Sequence, residues 1–369
     1  MSVMAEATAI HPFRIDVPDE QLADLRRSSL GWSARTGRSS SAGSTSPSSM
    51  RAPRPTCSPS ASREIRMDVK QIDAGDLNVG YVDAGPEDGP AVLLLHGWPY
   101  DIHAYNEVTP ILVAQGCRVI VPYLRGYGTT RFLSAGTPRN GEQVALAVDA
   151  TALLDALQIE RATVAGFDWG SRTAAIMAAL WPERCSALVA VSGYLIGSIE
   201  VNQRPLPPKA ELGWWYLFYF STERGRLGYR RYTREFNKLI WQLASPKWAF
   251  DDATFDRTAA SFDNPDHVDI VIHNYRWRLG LAEGEERYLG FEQRLAERPT
   301  IDAPTITIAS DFDAPNADGK AYADRFTGPY EHRILDGIGH NVPQEAPTAF
   351  ARAVIELARQ EPVRPRSRR

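Results

Sequence analysis

Cysteine is scarce in this chain: three residues in 369, Cys57, Cys117 and Cys185, with neither the spacing of a metal site nor the number needed for a disulfide framework. Long apolar runs are missing as well. No segment approaches the roughly 18 consecutive apolar residues of a bilayer-spanning helix, and no charged-then-apolar secretory leader opens the sequence. The expectation is a protein of the reducing cytoplasm without membrane contact. An excess of positive charge is also lacking. A net charge of -4 and a pI near 6.0 give no general attraction to nucleic acid, and the basic run Arg364-Pro365-Arg366-Ser367-Arg368-Arg369 reads as a frayed tail. No internal repeat is present.

What is present is a strand and helix alternation. Apolar and β-branched runs predict strands near 67–72, 77–83, 91–96, 118–123, 186–192, 305–309 and 331–335, with a further apolar run from Ala162 to Ala165. Between them lie helical patterns: an amphipathic one through Val144, Leu146, Val148, Leu153, Leu154 and Leu157, another at about 171–181, and a closing one at about 345–360. Such alternation predicts an α/β fold with a mostly parallel central sheet flanked by helices. Residues 195–295 break the rhythm and are dense in Trp, Tyr, Arg and Phe, which predicts an inserted helical cap. The expected organisation is an extension over 1–66, a core in two parts over 67–194 and 296–360, the cap over 195–295, and a tail over 361–369.

The chemistry concentrates in Gly166-Phe167-Asp168-Trp169-Gly170, a small-x-nucleophile-x-small pattern between a strand and a helix. A carboxylate at the tip of that turn is already ionised at neutral pH and can attack an electrophilic carbon without a base to activate it. Such an aspartate could also serve merely as a turn or cap residue. Its company argues otherwise. Asp313, in Ser310-Asp311-Phe312-Asp313 after a strand, and His340, in Gly337-Ile338-Gly339-His340 after another, follow Asp168 in the order nucleophile, acid, histidine. The loop His96-Gly97-Trp98-Pro99 ends a buried strand and is suited to aim a backbone N–H at a developing oxyanion.

Taken together, His96-Gly97-Trp98-Pro99, Arg125-Gly126-Tyr127-Gly128, Gly166-Phe167-Asp168-Trp169-Gly170 and Gly337-Ile338-Gly339-His340 resemble the epoxide hydrolase branch of the α/β-hydrolase superfamily, over roughly residues 67 to 360. The same branch includes haloalkane and haloacid dehalogenases. The resemblance implies an α/β-hydrolase fold and an aspartyl ester mechanism giving a vicinal diol. In it Asp168 is the nucleophile, His340 the base that activates water, Asp313 its orienting acid, and the N–H groups of Trp98 and Trp169 the oxyanion hole. Asp311 then reads as a turn residue. Tyr216-Leu217-Phe218-Tyr219-Phe220 and Asn274-Tyr275-Arg276 resemble the segments that carry the family's two epoxide-holding tyrosines, which assigns those roles to Tyr216 and Tyr275. Epoxide opening releases an alkoxide, and phenols can meet it with a proton or a strong hydrogen bond. Tyr219, Trp215 and Arg172 are expected to line the pocket, with Tyr219, one helical turn on, the alternative to Tyr216. Tyr229, Tyr232 and Tyr288 compete for the same roles, and His267 and His273 read as ordinary surface or core histidines.

No metal or organic cofactor is required by this scheme. The expected partner is a small lipophilic substrate, as Trp214 and Trp215 beside Tyr216 suggest an apolar wall, with homo-oligomerisation left open. Two other readings compete. A dehalogenase would use the same Asp168 and His340, with Arg172 in the place of a carboxylate-gripping arginine, although an ion pair on the first helical turn is the plainer reading of that residue. A ligand-binding protein would keep the fold without turnover. The extension opens with His11-Pro12-Phe13-Arg14-Ile15-Asp16-Val17-Pro18, similar to the amino-terminal extension of some epoxide hydrolases. From Ser28 to Ser62, by contrast, it is rich in Ser, Arg, Pro and Gly and expected to be disordered. Residues after about Arg27 read as a frame-shifted stretch, with Met67 beginning the catalytic domain. Limited proteolysis should leave an active fragment starting near Met67, and loss of folding on that truncation refutes the reading.

Overall fold

The computed structural model describes residues 68–314 and 316–359, so the readings of the 1–66 extension and the 361–369 tail lie outside the described residues. The described chain opens with strands β1 (Val69–Ala74) and β2 (Leu77–Ala84), an antiparallel pair turned at Gly75. Then come β3 (Ala91–Leu95), helix α1 (Val108–Val113), β4 (Arg118–Pro122), the short β5 (Arg131–Phe132), α2 (Gln143–Ala156), β6 (Ala162–Gly166), α3 (Trp169–Leu180) and β7 (Cys185–Val191). A wholly helical insertion follows: α4 (Ile199–Asn202), α5 (Pro208–Gly213), α6 (Tyr216–Ser221), α7 (Glu223–Arg231), α8 (Thr233–Ala244), α9 (Asp252–Ala259), α10 (His267–Arg278) and α11 (Leu289–Ala296). The chain returns to the sheet with β8 (Thr305–Ser310) and β9 (Tyr330–Leu335) and closes with α12 (Val342–Glu345) and α13 (Pro347–Ala358).

The strands form one sheet in the order β1-β2-β4-β3-β6-β7-β8-β9, with β5 paired to β2. Pairing is parallel from β4 to β9 and antiparallel only where β2 meets β1, β4 and β5. The burial of each strand follows its place. Every residue of β6 and β8 is buried, because strands covered on both faces need apolar side chains on both. Edge strand β9, Tyr-Glu-His-Arg-Ile-Leu, has no fully buried residue and pairs Arg333 with Glu331 and Glu356 at its surface.

Two helices depart from their sequence patterns for physical reasons. The first half of α2 is not amphipathic: Gln143 through Ala147 are all buried, enclosed from several sides, with Glu292 of α11 and the Gly197 carbonyl on Gln143, Glu292 on Val144 and Arg125 on the Ala145 carbonyl. There Glu292 accepts bonds from Gln143 Nε2 at 2.8 Å and the Val144 N–H at 3.1 Å. The closing helix begins at Pro347 rather than near 345, with proline at a position where a missing N–H costs nothing. Helix α1, between β3 and β4, is not among the sequence-predicted elements. Among the described residues no helix is long and apolar enough to cross a membrane, and no group of three or more His, Cys, Asp or Glu could hold a metal ion.

Burial, which outweighs the bonds from Gln143 and Val144, pushes the Glu292 carboxyl up to about 7 from an ordinary value of 4.5. The folded protein therefore keeps this proton over a range in which the unfolded chain has lost it. Stability falls as pH rises between the two values. Melting temperatures measured from pH 4.5 to 7.5 should drop less steeply for Glu292→Gln than for the unsubstituted protein; parallel curves would refute the contribution.

Candidate active site

The C-terminal ends of β3, β6, β8 and β9 open on the same side of the sheet, which is where ligands bind in open parallel sheets. Asp168 stands at the tip of the turn after β6 with φ 53° and ψ -124°, a conformation that residues with a Cβ seldom adopt. The turn is possible because its neighbours are glycine. A Cβ on Gly170 would lie 1.8 Å from the Leu95 carbonyl oxygen, and one on Gly97 would lie 2.3 Å from the Asp168 Cβ. The ends of β3 and β6 therefore approach to a distance only these glycines allow.

The Asp168 carboxylate has two differently occupied oxygens. Oδ1 accepts the Trp98 N–H at 2.8 Å, and the Trp169 N–H also donates to the carboxylate. Oδ2 lies 3.3 Å from His340 Nε2. Burial acts to raise this carboxyl, but the His340 bond and charge and the two N–H donors together outweigh it and hold Asp168 below the usual carboxylate range. Its side chain keeps 21% of its accessible surface, so small molecules can reach it.

Across from the carboxylate stand Tyr216, on α6, and Tyr275, on α10, their rings 5.4 Å apart and nearly perpendicular. Both pack on the Trp98 indole, at 5.2 and 5.1 Å, and Tyr275 also meets Trp169 at 5.9 Å. Burial and then the Asp168 charge raise Tyr216, while burial, Tyr216 and Asp168 raise Tyr275. Both phenols stay protonated and can donate. The structure thus brings Asp168, His340, Trp98, Trp169, Tyr216 and Tyr275 into one chamber, with Arg172 beside it on α3.

Other predicted residues are placed elsewhere. Tyr219 stacks on Phe236 at 5.7 Å and packs with Trp215, within the helical insertion. Trp215 touches Tyr216 edge-on, behind the chamber. Arg172 forms no ion pair among the described residues; its Nε donates to the Leu195 carbonyl at 2.9 Å. Asp313 is not joined to His340: its Oδ2 accepts the Ser310 N–H at 2.9 Å, and His340 Nδ1 is buried without a hydrogen-bond partner. Phe312 instead packs on the imidazole, ring centroids 4.2 Å apart. Asp311 is occupied by Lys247 at 2.5 Å and the Gly337 N–H at 3.0 Å.

Several supporting contacts are not legible in the sequence, although it names most of the residues that make them. The Trp98 indole N–H donates to the Tyr229 hydroxyl at 2.8 Å, and that oxygen also lies 3.0 Å from Asn237 Oδ1 and from His267 Nε2. The other His267 nitrogen faces the Gly126 carbonyl at 3.0 Å, so Nδ1 carries the proton and Nε2 accepts. Burial pulls His267 down to about 3 and His96 to about 4, keeping both neutral. His96 Nε2 accepts the Leu124 N–H, tying the β3 loop to the β4 loop. Arg125 completes that loop with a two-pronged pair to Asp149 at 2.6 and 2.7 Å. His340 is held from its backbone: its N–H meets Ser245 Oγ at 3.0 Å, and Glu345 accepts from Ser245 Oγ and the N–H groups of Gly339 and Asn341.

A family model described as alpha/beta hydrolase fold matches residues 90–234. A crystallised protein of Klebsiella pneumoniae, described as a candidate epoxide hydrolase, is 60% identical, covers 79% of this chain and 97% of its own, and has a TM-score of 0.78. Epoxide hydrolase A of Mycobacterium tuberculosis is 25% identical over 315 residues, 78% of this chain and 95% of that protein. Haloalkane dehalogenase of Mycobacterium marinum is 34% identical over 133 residues, 35% of this chain and 43% of that protein.

Tyr229→Phe removes the acceptor of the Trp98 indole and a neighbour of His267 in a buried site. Each group left unsatisfied costs about 1–3 kcal/mol. Urea unfolding should show a loss of that order. A change under about 0.5 kcal/mol would mean that the network does not hold Trp98.

Proposed function

The chain belongs to the α/β-hydrolase fold family, and from that premise we propose that it is a hydrolase acting on ether bonds, converting an epoxide to a vicinal diol through an ester on Asp168. The observation that carries this reading is the division of labour across the chamber: a carboxylate held by two backbone N–H groups and the imidazole, and two protonated phenols close to it from the insertion. An aspartate nucleophile alone would suit halide displacement equally well. Paired phenols suit a leaving oxygen.

In the first step Oδ2 of Asp168 attacks one epoxide carbon and the carbon–oxygen bond breaks. Tyr216 and Tyr275 donate to the departing oxygen, and one of them supplies the proton that makes it a hydroxyl. In the second step water attacks Cγ of the ester and yields a proton to His340. The ester carbonyl oxygen is Oδ1, which already accepts the Trp98 N–H, and with the Trp169 N–H, which also donates to this carboxylate, it makes the proposed oxyanion hole for the tetrahedral intermediate. Collapse breaks the bond from Cγ to the substrate oxygen, which takes the proton still carried by the former water oxygen, so that the diol leaves and Asp168 is again a carboxylate; the proton on His340 returns the phenolate to the phenol. One water is consumed. Asp313, which in this structure accepts the Ser310 N–H, is the proposed partner of the buried Nδ1–H, the proton that the imidazole carries while Nε2 takes the one from water.

The helical insertion acts as the cap in this scheme, contributing both tyrosines. The substrate is a small molecule whose apolar part meets the half-buried Tyr216 and Trp214 rings, which stack with centroids 6.2 Å apart. The two-step scheme separates its residues by experiment. Incubated with styrene oxide, His340→Gln should accumulate protein heavier by one styrene oxide, seen by intact-protein mass spectrometry. Asp168→Ala should show no adduct and no diol. Tyr275→Phe should lower diol formation by about 100-fold or more, within the usual range for a proton donor. Bromide release from a bromoalkane with no styrene oxide adduct on His340→Gln would replace this reading with the dehalogenase one.

A further inference from the structure

Two arginines at the edge of the chamber stand without counter-charge. Several partly buried arginines in the fold are matched, Arg118 by Asp83 at 3.1 Å, Arg139 by Asp266 at 2.8 Å and Arg333 by Glu331 at 2.8 Å, whereas Arg276, like the two at the chamber, makes no ion pair among the described residues. Arg172 and Arg278, also partly buried, make no ion pair among the described residues. Arg172 sits four residues after the nucleophile, and its N–H bonds to the Asp168 carbonyl at 3.1 Å. Its Nε is committed to Leu195, which leaves the two Nη groups with no hydrogen bond among the described residues. Arg278 ends α10, three residues after Tyr275. Its guanidinium carbon lies 5.7 Å from the Tyr275 ring and 5.7 Å from the Trp214 ring, and Trp214 in turn stacks with Tyr216 at 6.2 Å. Arg278 therefore lies against the phenol pair, and Arg172 is close enough for the charges of Arg278 and of both tyrosines to reach it.

Each cation adds to the cost of the other. Burial, and next the charge of Arg278, pull Arg172 down to about 10. The carboxylates whose charge reaches Arg172 are Asp168 and Glu292. Asp168 is occupied by His340 and two N–H groups, and Glu292 by Gln143 and Val144. A site for neutral epoxides gains nothing from such a pair. A carboxylate nucleophile, however, repels an anionic substrate, and an enzyme that opens epoxides of acids must offset that repulsion beside the nucleophile. Arginine is the side chain suited to it, because its planar fork grips a carboxylate through two parallel bonds.

We infer that Arg172 and Arg278 form a clamp for a carboxylate borne by the substrate, so that short epoxy acids, with the acid group on or next to an epoxide carbon, are preferred to neutral epoxides. The short spacing follows from the placement: one arginine is a helical turn from the nucleophile and the other a helical turn from a phenol that holds the epoxide oxygen. The aromatic wall takes the remaining substituent. This inference names the substrate class of the proposed epoxide hydrolase site and rests on that reading.

Two comparisons on the unsubstituted protein test it without any variant having to fold. Hydrolysis of 3-phenylglycidate should exceed that of 3-phenylglycidamide by tenfold or more in kcat/KM, through a lower KM. By titration calorimetry, 3-phenylpropionate, which has no epoxide, should bind tenfold or more tightly than 3-phenylpropionamide. Arg172→Gln and Arg278→Gln should each reduce both ratios toward one. Equal binding of acid and amide by the unsubstituted protein overturns the clamp even where both glycidyl compounds are opened. Tight acid binding that is lost in the arginine variants, with neither epoxide opened, supports the clamp and sinks the epoxide hydrolase reading instead.

Discussion

The site depends on a single backbone conformation, that of Asp168. With φ 53° and ψ -124°, the residue occupies a region that a side chain disfavours, and it stays there only because its surroundings hold it. The Trp98 and Trp169 N–H groups pull on the carboxylate, helix α3 continues from its carbonyl through the Arg172 N–H, and β3 lies against the turn along Leu95 and Gly166. Releasing the turn would let the carboxylate relax toward the strand axis, away from both the imidazole and the phenols. The closeness of Gly97 and Gly170 to neighbouring atoms is the steric counterpart of this requirement.

Around that turn the chamber is built to keep charge where it is useful and to remove it elsewhere. Aromatic rings surround the carboxylate, and in such a poorly solvated setting two N–H dipoles count for more than they would in water. The same burial that would protonate a lone aspartate is overcome here by His340 and the N–H donors. Applied to the phenols and to His96 and His267, it has the opposite use, holding each in its neutral form. One physical factor thus yields an ionised group and several un-ionised groups within one chamber, and hydrogen bonds decide which is which.

How much of this was legible beforehand varied with the range over which each interaction acts. The alternating apolar runs gave the parallel sheet, because fully covered strands such as β6 and β8 must be apolar throughout. The turn at Asp168 is legible because its glycines, its carboxylate and the following helix are contiguous. Tyr216 and Tyr275 are singled out by motif resemblance; nothing local distinguishes Tyr216 from Tyr219, one turn on, and only the fold shows that Tyr219 stacks on Phe236. Long-range partners left no trace. Ser245 lies 95 residues before His340, and Tyr229 lies 131 residues after Trp98. The amphipathic pattern of α2 does not hold at its start, where Glu292, Gly197 and Arg125, all distant in sequence or in other elements, enclose residues that would otherwise meet water. Arg278 could have been noticed, being one helical turn beyond Tyr275, but a terminal arginine on a helix is an ordinary solvent-facing residue until a neighbouring cation is known.

The anchoring of His340 gives the helical insertion a second task besides carrying the tyrosines. The backbone N–H of His340 bonds to Ser245 Oγ and to the Ala244 carbonyl at 3.2 Å, both at the last turn of α8, while the loop's other amides are gathered by Glu345 from the sheet side. The histidine is thus a joint between the two halves of the fold, although it comes from the core. For protein engineering, the helical insertion is not a detachable specificity module. Grafting another protein's helices onto this sheet would exchange part of the scaffold that positions His340, unless the Ala244-Ser245 corner were carried across intact.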